Sequence, residues 1–181
     1  MLSAIALMFC KVTSPDLAIV ICAPHGGGNT IPGVAERSKK DTPQFTTVTD
    51  TRTDKLAHAI AEQITKQTRK VPFLVVATVS RKYVDLNRDP KTAYEDERAK
   101  SSYDAYHAAI ASAVDAARKL SPNAILLDIH GQGRTAATIY RGTQNGATVK
   151  GFATQSTFFQ QLCEIEGLNI EPPLSADADT K

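Results

Sequence analysis

Two histidines stand at positions where a ligand can be gripped. His25 follows the apolar run Leu17–Ala23 (LAIVICA) and Pro24, and His130 follows the apolar run 124–129 (AILLDI). Each is followed at once by glycine, as HGGG at 25–28 and HGQG at 130–133. Glycine lets the backbone approach a ligand closely and turn sharply. Imidazole is the commonest side-chain ligand for metals such as zinc. A catalytic zinc takes about three protein ligands and keeps one position open for water. Either histidine alone reads equally well as a turn residue bonding backbone. The matched strand–His–Gly contexts favour a ligand pair.

A third ligand must come from elsewhere. His58 falls on the polar side of its helix, and His107 falls on a packed face with Tyr103 and Ile110. Three carboxylates remain: Asp50 at a helix N-terminus, Asp54 one turn on, and Glu36 in a long loop. Asp128 precedes His130 by two residues and so faces the same side of an extended strand. It either orients an imidazole or bonds loop backbone. In RKYVDLNRDP (81–90), Arg88 suits a substrate carboxylate, because a guanidinium fork matches a carboxylate in a bidentate way. Asn87 adds a directed hydrogen bond. The plainer alternative is a salt-bridged loop joining Arg88 to Asp85 or Asp89. Arg134 and Arg141 are further candidates. Neither a GxSxG elbow nor a Walker glycine loop is present, so HGGG lacks the partner that a serine esterase needs.

The elements that must position these residues follow from periodicity. Leu17–Ala23 reads as a buried parallel strand. Residues 24–49 are aperiodic, and a loop that long in a compact domain is usually functional. Leu56, Ala57, Ile60, Ala61 and Ile64 recur at helical spacing over 53–70, with Thr49 or Asp50 as the cap. A second strand spans 73–79, and a polar connection covers 80–92. A second helix starts at 94 or 97 and runs to 120, with Tyr103, Tyr106 or His107, Ile110, Val114 and Ala117 as its buried stripe. Ser121-Pro122 ends it. A third buried strand follows at 124–129, then a short strand at 137–140, a turn at 142–146 and a helix at 152–162. This order predicts an α/β fold with a mainly parallel or mixed sheet flanked by helices. Ligands in such sheets sit beyond the carboxyl ends of the strands. The expected organisation is an N-terminal extension at 1–16, one domain at 17–166 and a tail at 167–181.

Composition narrows the function classes. In 181 residues the net charge is +2, and no basic cluster is interleaved with aromatics, so nucleic acid is not the expected partner. With 6% aromatics and no Trp, a stacking platform for single strands is disfavoured. Cys10, Cys22 and Cys163 are odd in number and show no CxxC spacing, which argues against a disulfide framework or a thiolate zinc site. The first ten residues, MLSAIALMFC, are apolar but lack a preceding basic residue. The expected location is therefore cytoplasmic, with secretion as the alternative if residues 1–14 act as a degenerate signal. No run approaches the ~20 apolar residues that span a bilayer, so no membrane role is expected.

APHGG followed by IP, a TD pair shortly before a helix, then VDLNRDP, then LLDIHG, stand in one order over about 18–146. This series resembles the N-formylglutamate amidohydrolase family. VDLNRDP is its most specific piece. The resemblance implies a zinc-exopeptidase (phosphorylase/hydrolase-like) fold, related to zinc carboxypeptidases and phage-type poly-γ-glutamate hydrolases. It implies Zn2+ held by His25, Asp50 and His130, with Asp standing where those relatives have Glu; either carboxylate ligates zinc. It implies hydrolysis of the N-acyl (N-formyl) bond of an acidic amino acid, a small-molecule substrate whose carboxylate Arg88 grips; Asn87 and Arg141 stand beside it as substrate-binding candidates from the residues themselves. Asp128 is then the carboxylate behind the metal. In one respect the chain departs from the pattern. The late Glu that serves relatives as general base has no counterpart, since Glu164, Glu166 and Glu171 come too early. The general base stays unassigned, and the chain is expected to be a C-terminally truncated member. The competing readings are a γ-glutamyl or peptide hydrolase of related fold, and a non-catalytic metal- or anion-binding domain.

Overall fold

The computed structural model describes residues 10–12, 15–39, 45–133, 135, 138–140 and 169–171. The chain divides into two compact units, Met1–Gly131 and Gln132–Lys181.

The first unit holds a four-stranded sheet in the order β1-β3-β2-β4. Its strands are β1 (Cys10–Val12), β2 (Leu17–Ala23), β3 (Pro72–Ala77) and β4 (Ile125–Asp128). β2 runs parallel to both β3 and β4, while β1 is antiparallel to β3. The sheet is thus mainly parallel with one antiparallel edge, as the pattern of elements predicts. β3 is buried at every position, and β2 is buried from Val20 onward. Near-continuous apolar runs are what a strand covered on both faces requires.

Two long helices supply that cover. α1 (Thr53–Thr68) packs on β3 and β2, and α3 (Lys100–Leu120) packs on β2, β3 and β1. Side chains alternate across a strand. Val20, Cys22, Phe73, Val75 and Ala77 therefore join one core with Tyr106, Ala109, Ala113 and Ala117 of α3. Ile21, Leu74 and Val76 face the other way, toward the α1 side that carries the buried Ala57 and Ile64. Between β3 and α3 lie a short helix α2 (Pro90–Ala93) and a 3-10 turn, Glu97–Ala99, with Asp89 and Asp96 accepting backbone N–H bonds at their starts.

Three local expectations change. α1 is not capped by the Thr49 or Asp50 side chain: Arg52 occupies the cap in a left-handed conformation, and Thr53 bonds the Asp50 carbonyl instead. The Asp50 carboxylate is therefore turned away from the helix end. In α3 the fully buried line is Ser102, Tyr106, Ala109, Ala113 and Ala117, with Tyr103, Ile110 and Val114 half-buried beside it. Small residues let the helix lie close to the sheet while the bulky ones flank the contact. β4, expected to be buried, alternates half-buried and exposed residues, and Leu126 is 49% exposed. Within this sheet β4 is an edge strand with a single neighbour, β2.

In the second unit, β5 (Thr138–Tyr140) pairs in parallel with β6 (Asn169–Glu171), and the Gln132 side-chain amide donates to the carbonyls of Thr135 and Thr138. Asn169–Glu171 falls in the segment expected as a tail. The turn expected at 142–146 and the helix expected at 152–162 lie outside the described residues.

Candidate metal centre

The carboxyl ends of β2 and β4 bring the two histidines together. His25 sits two residues past β2, and His130 two residues past β4. The Ile129 N–H bonds the Cys22 carbonyl, tying the two strand ends side by side. The imidazole centroids are 5.1 Å apart. Asp50 joins them because its N–H bonds the His25 carbonyl and its carboxylate accepts the Gly131 N–H at 2.9 Å. Two glycines are needed for this closeness. A Cβ on Gly27 would stand 2.4–2.5 Å from the Thr78 and Val79 backbone, and one on Gly131 would stand 3.1 Å from Asp50 Cβ.

The two rings are held in the same way. His25 Nε2 lies 2.8 Å from Asp85 Oδ1, and His130 Nε2 lies 3.0 Å from Asp128 Oδ2. An ionised carboxylate only accepts, so each Nε2 carries a hydrogen and donates it. Each Nδ1 then turns toward Asp50 Oδ2, at 3.4 Å from His25 and 3.2 Å from His130. His25 Nδ1 is buried and has no hydrogen-bond partner among the described residues, on a side chain only 1% exposed. A buried polar atom without a partner is unfavourable unless something else satisfies it.

These donors fit a divalent ion. Two ligand atoms each about 2.0–2.1 Å from a tetrahedral centre lie about 3.3 Å apart, and the observed 3.4 and 3.2 Å match that edge. One ligand atom from each of His25, Asp50 and His130 can be chosen so that all three lie within 4.8 Å of one another. Two imidazoles with one carboxylate suit zinc and leave a fourth position for water. Histidines that bind metal commonly donate their other N–H to a carboxylate, which fixes the tautomer and raises basicity. Asp85 and Asp128 occupy those places.

Burial opposes the ionisation of Asp85, but its bond to His25, the charge of Arg81 and the Asn87 N–H outweigh it and hold the carboxyl well below the usual range. Asp128 follows the same logic: burial raises it, and the bonds from His130 and from the Cys22 thiol lower it further. His130 is raised above the ordinary imidazole value, first by its bond to Asp128, against burial, and then by Asp50. The sign of the consequence follows. In the metal-free protein, protonated His130 contributes stability that is fully present below the unfolded imidazole value of about 6.5. That contribution is lost as pH rises through the higher folded value. A metal needs the neutral ring. Apparent zinc affinity is therefore expected to fall about tenfold per pH unit below the folded value, with proton release on binding. Calorimetry in buffers of different ionisation enthalpy checks this, and a flat affinity between pH 5 and 8 would contradict it.

Of the other residues singled out in the sequence, Asn87 reaches the centre: its side-chain amide lies 3.2 Å from His130 Nε2, and with a hydrogen on that nitrogen the amide presents its oxygen. Arg88 stands at the rim, its Nη1 donating to the Asn87 carbonyl and its Nε 3.9 Å from Asp85 Oδ2. Glu36 is exposed and pairs with Lys82, so it is not the third ligand; Asp54 lies outside the group. Arg141, Arg134, Glu164 and Glu166 lie outside the described residues. Two residues of the candidate centre escaped the sequence reading. Asp85 entered it only as a salt-bridge partner for Arg88, yet it is 0% exposed and orients His25. Arg81 is buried and pairs with Asp85 through Nε and Nη2, both at 2.9 Å. One signal was available: an Asp between the apolar Val84 and Leu86 is a charge inside a buried run, and such a charge needs a partner.

Comparison with known proteins bears on the family and the fold. Residues 17–101 match the family model described as N-formylglutamate amidohydrolase. Over that segment the chain is similar to the N-formylglutamate amidohydrolase family. The matched segment carries His25, Asp50, Asp85, Asn87 and Arg88, while His130 lies beyond it. Among solved structures, the fold is similar to that of the N-formylglutamate amidohydrolase from Ralstonia eutropha JMP134, with a TM-score of 0.56 and 15% identity, covering 93% of this chain and 78% of that one. A search of curated proteins gives no match. Among the described residues, no helix is long and apolar enough to cross a membrane.

Proposed function

We propose that this chain uses a divalent metal, zinc, to hydrolyse the N-formyl amide of glutamate. The observation that carries the reading is the convergence of two imidazole Nδ1 atoms on Asp50 Oδ2, each ring backed by its own carboxylate. When bound, zinc supplies a water of near-neutral pKa and polarises the scissile carbonyl.

The chain's own residues do the rest. Asp85 and Asp128 keep both rings in the tautomer that presents Nδ1. Buried His25 and half-exposed His130 leave the centre approachable from the His130 side. There Arg88 and Asn87 stand at the rim, where a guanidinium and an amide suit the carboxylates of an N-acylglutamate. Charge points the same way. Asp50, Asp85 and Asp128 against Arg81 and Arg88 leave one negative charge. A divalent ion turns that into one positive charge, which favours an anionic substrate.

The test is formate release from N-formyl-L-glutamate by the zinc-loaded protein, with N-acetylglutamate and γ-glutamyl peptides as comparators. We expect the formyl substrate to be turned over fastest, and turnover to stop with chelator and return with zinc. Shortened peptides without formate, or turnover that chelation does not touch, would contradict the assignment.

A further inference from the structure

We infer that Arg81 is a positioning residue that restricts Asp50 to a single donor oxygen; the inference rests on the metal-centre reading above. The two oxygens of Asp50 have different company. Oδ2 faces His25 Nδ1, His130 Nδ1 and the Gly131 N–H, at 3.4, 3.2 and 2.9 Å. Oδ1 faces Arg81 Nη1 at 3.5 Å. The guanidinium cannot drift from that position. Its Nε and Nη2 are both engaged by Asp85 Oδ2, and the Arg81 carbonyl is gripped by Arg37 Nη1 at 2.9 Å. The side chains of Arg81, Asp85 and Asp50 are 9%, 0% and 12% exposed, so water screens their attraction little.

A carboxylate binds a metal through one oxygen or two, and a second Asp50 oxygen on the ion would take a place that water needs. Arg81 holds Oδ1 back by keeping a fixed positive charge 3.5 Å from it in a little-hydrated setting. The same residue neutralises Asp85, which orients His25, so one cation sets both a ligand's denticity and a ligand's tautomer. Lysine cannot replace it, because an ammonium lacks the planar fork that reaches two carboxylates at once.

The test uses cobalt(II) as a spectroscopic probe in the full chain. The wild type is expected to bind one cobalt with the intense visible band of a four-coordinate ion. Arg81→Lys is expected to lose most of that band as the carboxylate takes a second contact, and to bind zinc about 10–100-fold more weakly. An arginine with only a structural role would lower thermal stability and leave the spectrum unchanged; that result overturns the inference and leaves the metal centre standing. No cobalt binding by the wild type overturns the metal centre and the inference with it. Should Arg81→Lys fail to fold, the X-ray absorption fine structure of the zinc-loaded wild type gives an independent reading. Four light-atom ligands with one carboxylate oxygen support the inference, and two carboxylate oxygens on the ion overturn it.

Discussion

Replacing His130 with alanine is expected to end zinc binding at micromolar metal and to lower formate release by about 10³-fold or more, equal to about 4 kcal/mol of transition-state stabilisation. In the proposed centre His130 is one of three donors, and its ring is the one reached from solvent, 33% exposed against 1% for His25. The fold should tolerate the change. His130 lies past the end of β4 and outside the core cluster, so at a pH above its raised folded value, where its protonation no longer adds stability, the melting temperature of the metal-free variant should stay close to that of the metal-free wild type. The zinc-dependent rise in melting temperature, which mass action gives any ligand that binds only the native state, should disappear. Metal analysis after gel filtration, with melting curves at several zinc concentrations, checks both halves. A variant that keeps its zinc and its turnover would remove His130 from the centre.

Asp85→Ala is expected to be the most damaging single change to stability. It removes the partner of a buried guanidinium, and breaking a buried ion pair from one side costs about 3–5 kcal/mol, because the remaining charge stays desolvated. For a chain of this size each kcal/mol lowers the melting temperature by about 2–4 °C, so a fall of roughly 6–20 °C is expected. Asp85→Asn keeps an acceptor for His25 but withdraws the charge that Arg81 faces. It should therefore be milder in stability, and still lower zinc affinity by about 10–100-fold through the imidazole it no longer polarises. Asp96→Asn is the control: that carboxylate pairs with Arg98 on the surface, and its loss should leave melting and zinc affinity unchanged. Equal effects of the Asp85 and Asp96 changes would show that Asp85 does not hold the centre.

How much of this the sequence discloses depends on the range of the interaction. β2 and α1 are legible because their signals, a continuous apolar run and a 3.6-residue period, are local. His25 and His130 are legible for a related reason: each directly follows a strand, and in parallel sheets the strand ends are where ligands sit. Asp50 is different. Residues 45–50 have no period, so its choice over Asp54 and Glu36 came through family resemblance rather than pattern. The expectation that it caps α1 misplaced its side chain, since Arg52 takes the cap. The Arg81–Asp85 pair was missed because a loop and not a repeat sets it. Spacing alone gives Arg88 as good a claim on Asp85, and only the folded connection shows which guanidinium makes the 2.9 Å contacts. The half-exposed β4 was missed because strand order in a sheet is not written in the strand itself.

The most direct test is the anomalous scattering of zinc-soaked crystals, recorded on both sides of the zinc edge. One peak is expected at about 2.0–2.2 Å from His25 Nδ1, His130 Nδ1 and Asp50 Oδ2, the bond lengths of zinc to nitrogen and oxygen ligands. A peak on the Nε2 side of either ring, or full zinc occupancy at other residues with these three atoms bare, would contradict the account.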